Sequence, residues 1–107
     1  MKTYKVKISK RAKQDLRRVI SYIKNNLLEE SIADKYRILF REKIDQLEYI
    51  AGSMPPLDEE LTGHKDIRKV NVKNYVIFYT IDKEKEEAYV VRVGHAFMDW
   101  QKYLKDI

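Results

Sequence analysis

The strongest constraint on the fold is a pair of apolar runs in the last third of the chain. Tyr75–Asp82 and Ala88–Gly94 are rich in β-branched and aromatic residues, and the charged segment K-E-K-E-E separates them. Because each run is apolar on both of its faces, it is typical of a strand that is covered on both sides. We therefore predict two central strands joined by a tight, charged turn.

Two further strands complete the predicted sheet. Strict alternation of apolar and polar residues over positions 3–9 indicates a half-buried strand near a sheet edge. A second short run, Ile67–Val72, indicates a strand that a tight turn connects to Tyr75. The polar segment before it, from Met54 to Asp66, is predicted to be a loop in which His64 is solvated.

The segment between the first two predicted strands carries two amphipathic helices, because its apolar residues recur at the helical period. We expect one helix from Lys10 to about Asn26 after an N-cap at Ser9, and a second between an N-cap at Ser31 and a C-cap at Gly52. The stripe that these helices bury is expected to include Leu16, Ile20, Ile23, Tyr36, Phe40, Ile44 and Leu47.

The element order is β-α-α-β-β-β, followed by a short helix that Asp99 caps. This order predicts an α+β fold, in which an antiparallel sheet carries the N-terminal helix hairpin on one face. A chain of 107 residues buries one modest core, so we expect a single domain over residues 1–107.

The composition argues against several kinds of site. The sequence has no cysteine, and its two histidines, His64 and His95, are well separated, so we expect neither thiolate chemistry nor a metal site. It has no glycine-rich phosphate loop and no nucleophile elbow, and we expect no cofactor. No apolar run is long enough to cross a bilayer and the first residues do not resemble a signal peptide, which predicts a cytoplasmic protein with no membrane partner.

The formal net charge is +5, and basic residues crowd the first 18 positions. Such a surplus suits a polyanionic partner, whether a nucleic acid, a ribosome or an acidic protein segment. An ordinary excess of surface lysines explains the charge equally well.

A group of polar and aromatic residues near the end of the chain has the composition of an RNA-cleaving site. Attack by a 2′-hydroxyl needs a base, an acid for the leaving oxygen, and cations that stabilise the phosphorane. In this hypothesis His95 is the acid or base, Arg68 and Arg92 clamp the phosphate, and the remaining residues bind substrate by stacking or hydrogen bonding: Asp99, Trp100 and Tyr103.

Each of these residues also has a structural interpretation. His95 at a strand end is equally explained as a hydrogen-bonded cap, and Asp99 as a helix N-cap. Trp100 and Tyr103 are explained as packing residues. Arg92 interrupts an apolar strand, so it either forms a buried ion pair or faces a groove. Strict alternation also places Arg92 and His95 on opposite faces, unless the strand kinks at Gly94.

The chain as a whole resembles the RelE/ParE superfamily of bacterial type II toxins. The resemblance rests on the element order, on L-T-G followed by I-R-K-V and Y-V-I-F-Y-T-I-D, and on the closing V-V-R-V-G-H, D-W and Y-L. It implies a small cytoplasmic toxin that a cognate antitoxin, small and acidic, neutralises by wrapping a segment around the fold. In the RelE branch such toxins cleave mRNA on the ribosome, whereas the ParE branch poisons DNA gyrase without cleavage.

The sequence departs from the ribonuclease pattern of this superfamily in one strand. Val76 stands where ribonuclease members commonly carry a phosphate-binding arginine, and Lys69, Asn71 and Asn74 fall in the region of a further His and Asp pair. His95, after a glycine, matches a catalytic histidine of some members, and Arg68 matches the arginine after the L-x-G turn. The resemblance thus implies an incomplete ribonuclease site.

Three functional hypotheses follow for a plasmid-stabilisation type of toxin. The first is a ribosome-dependent mRNA endonuclease that inhibits growth by stopping translation. The second is a ParE-type inhibitor of gyrase, which is not an enzyme. The third is a toxin fold that has lost its activity and binds only its antitoxin.

Overall fold

The computed structural model describes residues 2–27 and 29–107, and its elements follow the predicted order. The strands in this part of the chain are β1 (Lys5–Ile8), β2 (Arg68–Val72), β3 (Tyr75–Asp82) and β4 (Glu87–His95). The α-helices there are α1 (Lys10–Leu27), α2 (Glu30–Ile50), α3 (Glu59–Thr62) and α4 (Trp100–Tyr103). The short helix α3 lies in the segment that was predicted to be a loop.

The four strands form one mixed sheet in the order β1-β4-β3-β2. Strands β2, β3 and β4 are antiparallel neighbours, so the two apolar runs are the central strands, as predicted. The edge strand β1 is parallel to β4, with Lys5 opposite Glu87 and Ile8 opposite Val90. The prediction of an antiparallel sheet is therefore right for three strands and wrong for β1, whose direction depends on the path that α1 and α2 take.

A β-bulge in β4 sets which side chains face the helices. Phe78 lies opposite Arg92, but Tyr79 lies opposite Val90, so Val91 is an extra residue in β4. Before the bulge Val90 faces the helices, and after it Val93 does, because the alternation of the strand shifts by one residue. The bulge precedes Arg92, and no shift of register occurs between Arg92 and His95.

The helix hairpin packs on one face of the sheet and the C-terminal segment on the other. On the helix side, the cluster contains most of the predicted stripe: Phe40, Ile44 and Leu47 are buried in it, and Leu16, Ile20 and Tyr36 pack against it half-buried. Ile23 is also buried. The opposite face holds a smaller cluster made of Ile67, Val76, Phe78 and Leu104, with Leu57, Val91 and Trp100 against it.

The predicted cap of the first helix is confirmed, whereas those of the second helix are wrong. Ser9 Oγ accepts a hydrogen bond from the Ala12 amide at 2.9 Å. Ser31 lies inside the first turn of α2, which Glu29 precedes without a side-chain cap. Gly52 lies in a 3₁₀ turn rather than in a left-handed cap, and a Cβ there would stand 2.8 Å from the Tyr4 hydroxyl. Its lack of a side chain therefore permits close packing by Tyr4.

His64 is not solvated, contrary to the prediction. Its ring is half-buried, and Nε2 lies 2.7 Å from the carbonyl oxygen of Leu104. The side chain thus joins the α3 region to the end of α4, a contact between residues 40 positions apart that the local sequence gives no means of predicting.

Truncation of Phe40 to Ala tests the predicted stripe. Phe40 is 3% exposed and contacts the rings of Tyr36 and Tyr75, so its removal leaves a cavity in the main core. We expect chemical denaturation to show a loss of about 3–5 kcal/mol in the free energy of unfolding. The exposed Ile38 on the same helix is the control, and Ile38→Ala should change stability by about 0.5 kcal/mol or less. A loss below about 1 kcal/mol for Phe40→Ala would contradict the packing described above.

Candidate functional site

An ion pair between α1 and β4 stands at the centre of the candidate site. Asp15 is 1% exposed and Arg92 is 4% exposed. Arg92 Nε donates to Asp15 Oδ2 at 2.8 Å and Nη2 donates to Oδ1 at 3.0 Å, a bidentate arrangement. Burial acts to lower the pKa of Arg92, but the hydrogen bonds and charge of Asp15 outweigh it, so the pKa is raised. Arg92 is therefore held as a buried cation.

Asp15 also binds the backbone of β4 at the part of its edge that extends beyond β1. Asp15 Oδ2 also accepts the Val93 amide at 3.0 Å, a donor that β1 is too short to reach. Asp15 was not among the predicted site residues. A polar residue within the apolar stripe of α1, beside Ala12 and Leu16, was the one sequence signal that pointed to it.

The C-terminal helix is tied to this pair through Tyr103. Arg92 Nη1 donates to the Tyr103 carbonyl at 2.9 Å, and Arg92 Cζ stands 3.7 Å from the centre of the Tyr103 ring. The Tyr103 hydroxyl donates to the Val93 carbonyl at 2.6 Å. Burial is the main cause that raises the pKa of Tyr103, which keeps this donor protonated at neutral pH. Tyr103 is thus a packed residue with both its ring and its hydroxyl engaged.

His95 lies on the other face of β4 and is exposed. Its Nδ1 accepts the Phe97 amide at 3.2 Å, so the proton of the neutral ring is on Nε2, which is left as a donor. The ring meets Tyr75 edge-on at 5.5 Å and Phe97 at 5.2 Å between centres. Tyr75 in turn contacts Tyr36 in the core, so a row of aromatic rings leads from the core to the surface at Phe97, which is 81% exposed.

A cavity of about 340 Å³ opens beside His95, at the edge of β4 and against α1. We call it the His95 pocket. Arg18 stands in its wall with a side chain that is 69% exposed, and its Nη1 is 3.7 Å from Asp15 Oδ1. The other lining residues are Asp15, Val19, Tyr22, Tyr75, Gly94, Met98 and Tyr103.

Arg68 is not near His95. It lies opposite Tyr79 on β3, whereas His95 lies opposite Tyr75, which places them about 13 Å apart along the strand direction. Arg68 Nη1 donates instead to the Met54 carbonyl at 2.7 Å, so it holds the turn after α2 against β2. The expectation that Arg68 could share one phosphate with His95 is therefore not met by the geometry.

Asp99 and Trp100 hold the C-terminal helix in place. Asp99 Oδ1 accepts the Lys102 amide at 3.3 Å, which is the N-cap that the sequence predicted. Trp100 Nε1 donates to the Ala96 carbonyl at 3.0 Å, and its ring meets Phe78 at 5.4 Å between centres. A role of either residue in binding substrate stays a prediction.

A second cavity, of about 580 Å³, runs between α1 and α2. Its floor is apolar, with Leu16, Ile20, Phe40 and Ile44, and cations stand along its rim. We call it the hairpin groove. Its rim residues are Arg17, Lys24, Arg37 and Arg41, together with one carboxylate, Asp45.

Two further observations concern residues 2–27 and 29–107. None of the helices described there has the length and apolar character needed to span a bilayer. The same residues contain no group of three or more His, Asp or Glu side chains placed to hold a metal ion.

The fold is similar to that of solved toxin–antitoxin proteins. A chain of the chromosomal ParDE system from P. aeruginosa superimposes with a TM-score of 0.71 at 14% identity, over 87% of this chain and 96% of that one. A chain of the archaeal RelE–RelB complex from Pyrococcus horikoshii gives 0.59 at 20% identity, over 89% and 97%. One of the RelBE2 complex from Mycobacterium tuberculosis gives 0.54 at 22%, over 87% and 98%.

The sequence also matches a family model over residues 6–100, which is described as the ParE toxin of the type II toxin–antitoxin system, parDE. A search of curated proteins finds no significant match. Because the family match covers most of the chain, this protein belongs to the ParE toxin family and is the toxin component of a type II toxin–antitoxin system. The RelE/ParE resemblance and the α+β fold are thereby confirmed.

The buried ion pair leads to a prediction about stability. Asp15→Ala should lower the free energy of unfolding by about 3–5 kcal/mol, because it leaves the Arg92 charge buried without its partner. Replacing both residues, as Asp15→Leu with Arg92→Met, should recover only part of that loss: no unpaired charge remains, but the Val93 amide and the Tyr103 carbonyl lose their partners. Denaturant unfolding of Asp15→Leu, of Arg92→Met and of the double variant measures the coupling between the two side chains. Single losses that add up in the double variant would show that the two side chains do not interact.

Proposed function

We propose that this toxin acts as a ParE-type inhibitor that binds DNA gyrase, rather than as an mRNA endonuclease. The observation that carries the proposal concerns Arg92 and Arg68, the two arginines that cleavage would need beside His95. Both are held in contacts within the protein. Arg92 is buried against Asp15, and Arg68 holds a turn about 13 Å away along the sheet. Val76, at the position of a common phosphate-binding arginine, is fully buried among apolar side chains.

The chemistry of cleavage explains why this arrangement matters. A phosphorane carries additional negative charge, and preorganised cations are the largest source of its stabilisation. His95 can exchange a proton, but general acid or base catalysis alone contributes about 10²–10⁴-fold. Arg18 is the one cation that shares the pocket with His95 among the described residues, and it stands in a wall built from aromatic rings. Binding to a target forms no phosphorane, so it does not depend on free cations beside His95.

The antitoxin partner is proposed to occupy the hairpin groove. An amphipathic helix presents an apolar stripe, which fits the floor formed by Leu16, Ile20, Phe40 and Ile44. Acidic side chains that flank such a stripe would face Arg17 and Arg41, whereas the other two rim cations, Lys24 and Arg37, already pair with Glu30 and Asp34. The surplus of charge over the whole chain, +5, favours the same acidic partner.

The two modes of action are separated by assaying the purified toxin on both targets. We expect it to inhibit supercoiling by gyrase and to produce no new 5′ ends in mRNA on purified ribosomes. His95→Ala should leave the supercoiling inhibition largely intact. New 5′ ends that disappear with His95→Ala, together with unaffected gyrase, would instead establish the endonuclease. Inactivity in both assays, with antitoxin binding retained, would indicate a toxin fold that has lost its activity.

The place of the antitoxin is tested by charge removal along α2. Arg41→Gln should slow association with the antitoxin encoded beside this chain, because Arg41 stands on the rim of the groove. Lys35→Gln removes the same charge from an exposed position of α2 outside the groove and serves as the control. Stopped-flow or surface-based kinetics at several salt concentrations measure the effect, since attraction between exposed charges is screened over about 8 Å at physiological ionic strength. Equal slowing by both variants, or rates that do not vary with salt, would place the antitoxin elsewhere.

A further inference from the structure

We propose that Phe97 is the anchor with which this toxin docks on its protein target. The anchor belongs to a surface that contains Tyr22, His95, Phe97 and Met98, and we call it the Phe97 surface. The partner is a protein that offers an apolar socket with carboxylates at its border. The identity of that partner as gyrase rests on the proposed function, whereas the location of the surface rests on the structure alone.

Phe97 is the most exposed of the large hydrophobic residues in the described part of the chain. Its exposed fraction is 81%, and the next highest value, that of Tyr22, is 62%. The Tyr22 side chain also carries a hydroxyl that water can solvate, whereas the side chain of Phe97 has no polar atom. A phenyl ring that stays in contact with water in the folded chain can still gain free energy from burial against a partner.

The ring of Phe97 is continuous with a larger apolar patch. Its centre lies 5.2 Å from that of the His95 ring, and His95 lines the adjoining pocket together with Tyr22 and Met98. Met98 is itself partly exposed, so the patch combines rings with a flexible side chain. Single apolar residues scattered over a surface need no partner, but Tyr, Phe and Met are enriched together at protein interfaces. The composition of this patch therefore indicates a protein interface.

The turn that carries Phe97 is fixed by hydrogen bonds of its backbone. The Phe97 amide donates to His95 Nδ1 at 3.2 Å, and the Met98 amide donates to the His95 carbonyl at 3.3 Å. The Ala96 amide donates to the Asn74 carbonyl at 2.8 Å, which ties this turn to the one between β2 and β3. A ring on a fixed backbone loses little conformational freedom on binding, which favours its use as an anchor.

The charges around the Phe97 surface favour a partner with carboxylates. Arg18 stands in the wall of the adjoining pocket with an exposed side chain, and the one carboxylate among the described residues of that wall, Asp15, is buried and paired. Lys73 is exposed in the neighbouring turn between β2 and β3, and Asp99 is exposed where it caps α4. Two exposed cations and one exposed carboxylate leave a charge of +1, and the whole chain carries +5, which opposes contact with a second copy.

The Phe97 surface is separate from the hairpin groove. None of its four residues lines the groove. On α1, Tyr22 lines the pocket, whereas its neighbour Ser21 lines the groove. A substitution at position 97 should therefore impair binding to the target without impairing binding to an antitoxin in the groove. The affinity for the antitoxin thus serves as a control for correct folding.

The test measures the affinity of the purified full-length toxin for purified gyrase and for the antitoxin encoded beside this chain. We expect Phe97→Ala to weaken binding to gyrase by about 30-fold or more, the effect of losing an aromatic hot spot. The affinity for the antitoxin should change by about twofold or less. Unchanged affinity of Phe97→Ala for gyrase would overturn the proposal, and an equal loss of affinity for the antitoxin would assign the surface to that partner instead.

Three further variants test the chemistry of the contact. Phe97→Leu should retain most of the affinity for gyrase, because an apolar socket accepts an aliphatic side chain. Tyr49→Ala and Leu61→Ala remove exposed apolar side chains of α2 and α3 outside the Phe97 surface, and each should change the affinity by about twofold or less. A loss in Phe97→Leu as large as that in Phe97→Ala would indicate stacking on the ring and overturn the proposal, as would an equal loss in Tyr49→Ala.

Growth inhibition in cells that lack the antitoxin separates a failure of this proposal from a failure of the proposed function. If the wild-type toxin does not bind gyrase, the proposed function fails, and the growth assay still tests the surface. A loss of growth inhibition that is larger in Phe97→Ala than in His95→Ala would support docking on another protein target. Full growth inhibition by Phe97→Ala would overturn the proposal, whichever target the toxin has.

Discussion

The bidentate contact between Asp15 and Arg92 is the interaction on which the rest of the structure depends. It joins the first helix to a central strand, and through the carbonyl and ring of Tyr103 it holds the C-terminal helix as well. The carboxylate also accepts a hydrogen bond from the Val93 amide, which lies beyond the last residue of β1. A hydrophobic pair at these positions would fill the volume but could not satisfy that donor or that carbonyl. The polar contacts therefore fix the relative placement of three elements.

The helices and strands were predictable from the sequence, because the spacing of apolar residues indicates which side of each element is buried. Tyr75–Asp82 has the predicted limits, and the ends of the other strands differ by a residue or two. The direction of β1 was not predictable, since a strand that follows the same alternation fits a sheet edge in either sense. Strand β1 is parallel to β4 because of the path that the chain takes through the helix hairpin, and the sequence of β1 does not specify that path. Long-range partners such as that of His64 were hidden for the same reason.

Only part of the candidate site was named from the sequence: His95 and Tyr103 line the pocket, whereas Asp15 and Arg18 were not named and Arg68 lies elsewhere. Opposite faces for Arg92 and His95 followed from alternation, and the bulge at Val91 leaves that result intact because it precedes both residues. The separation of Arg68 from His95 depends on the register of β2 against β3, which neither run specifies by itself. Asp15, the partner of Arg92, lies 77 residues away in sequence, so its role becomes visible only when the two elements are in contact.

The parallel pairing of β1 with β4 has a consequence for biosynthesis. Ser9 binds the carbonyl of Val91 across a separation of 82 residues, and the first strand has no partner in the sheet until the fourth has been made. Contacts this distant in sequence slow folding, because a long loop must close before they form. A nascent chain therefore contains the helix hairpin before it contains β2, β3 and β4, whose face the hairpin covers. Strand β1 is synthesised first but can join the sheet only after β4, so the order of assembly differs from the order of synthesis.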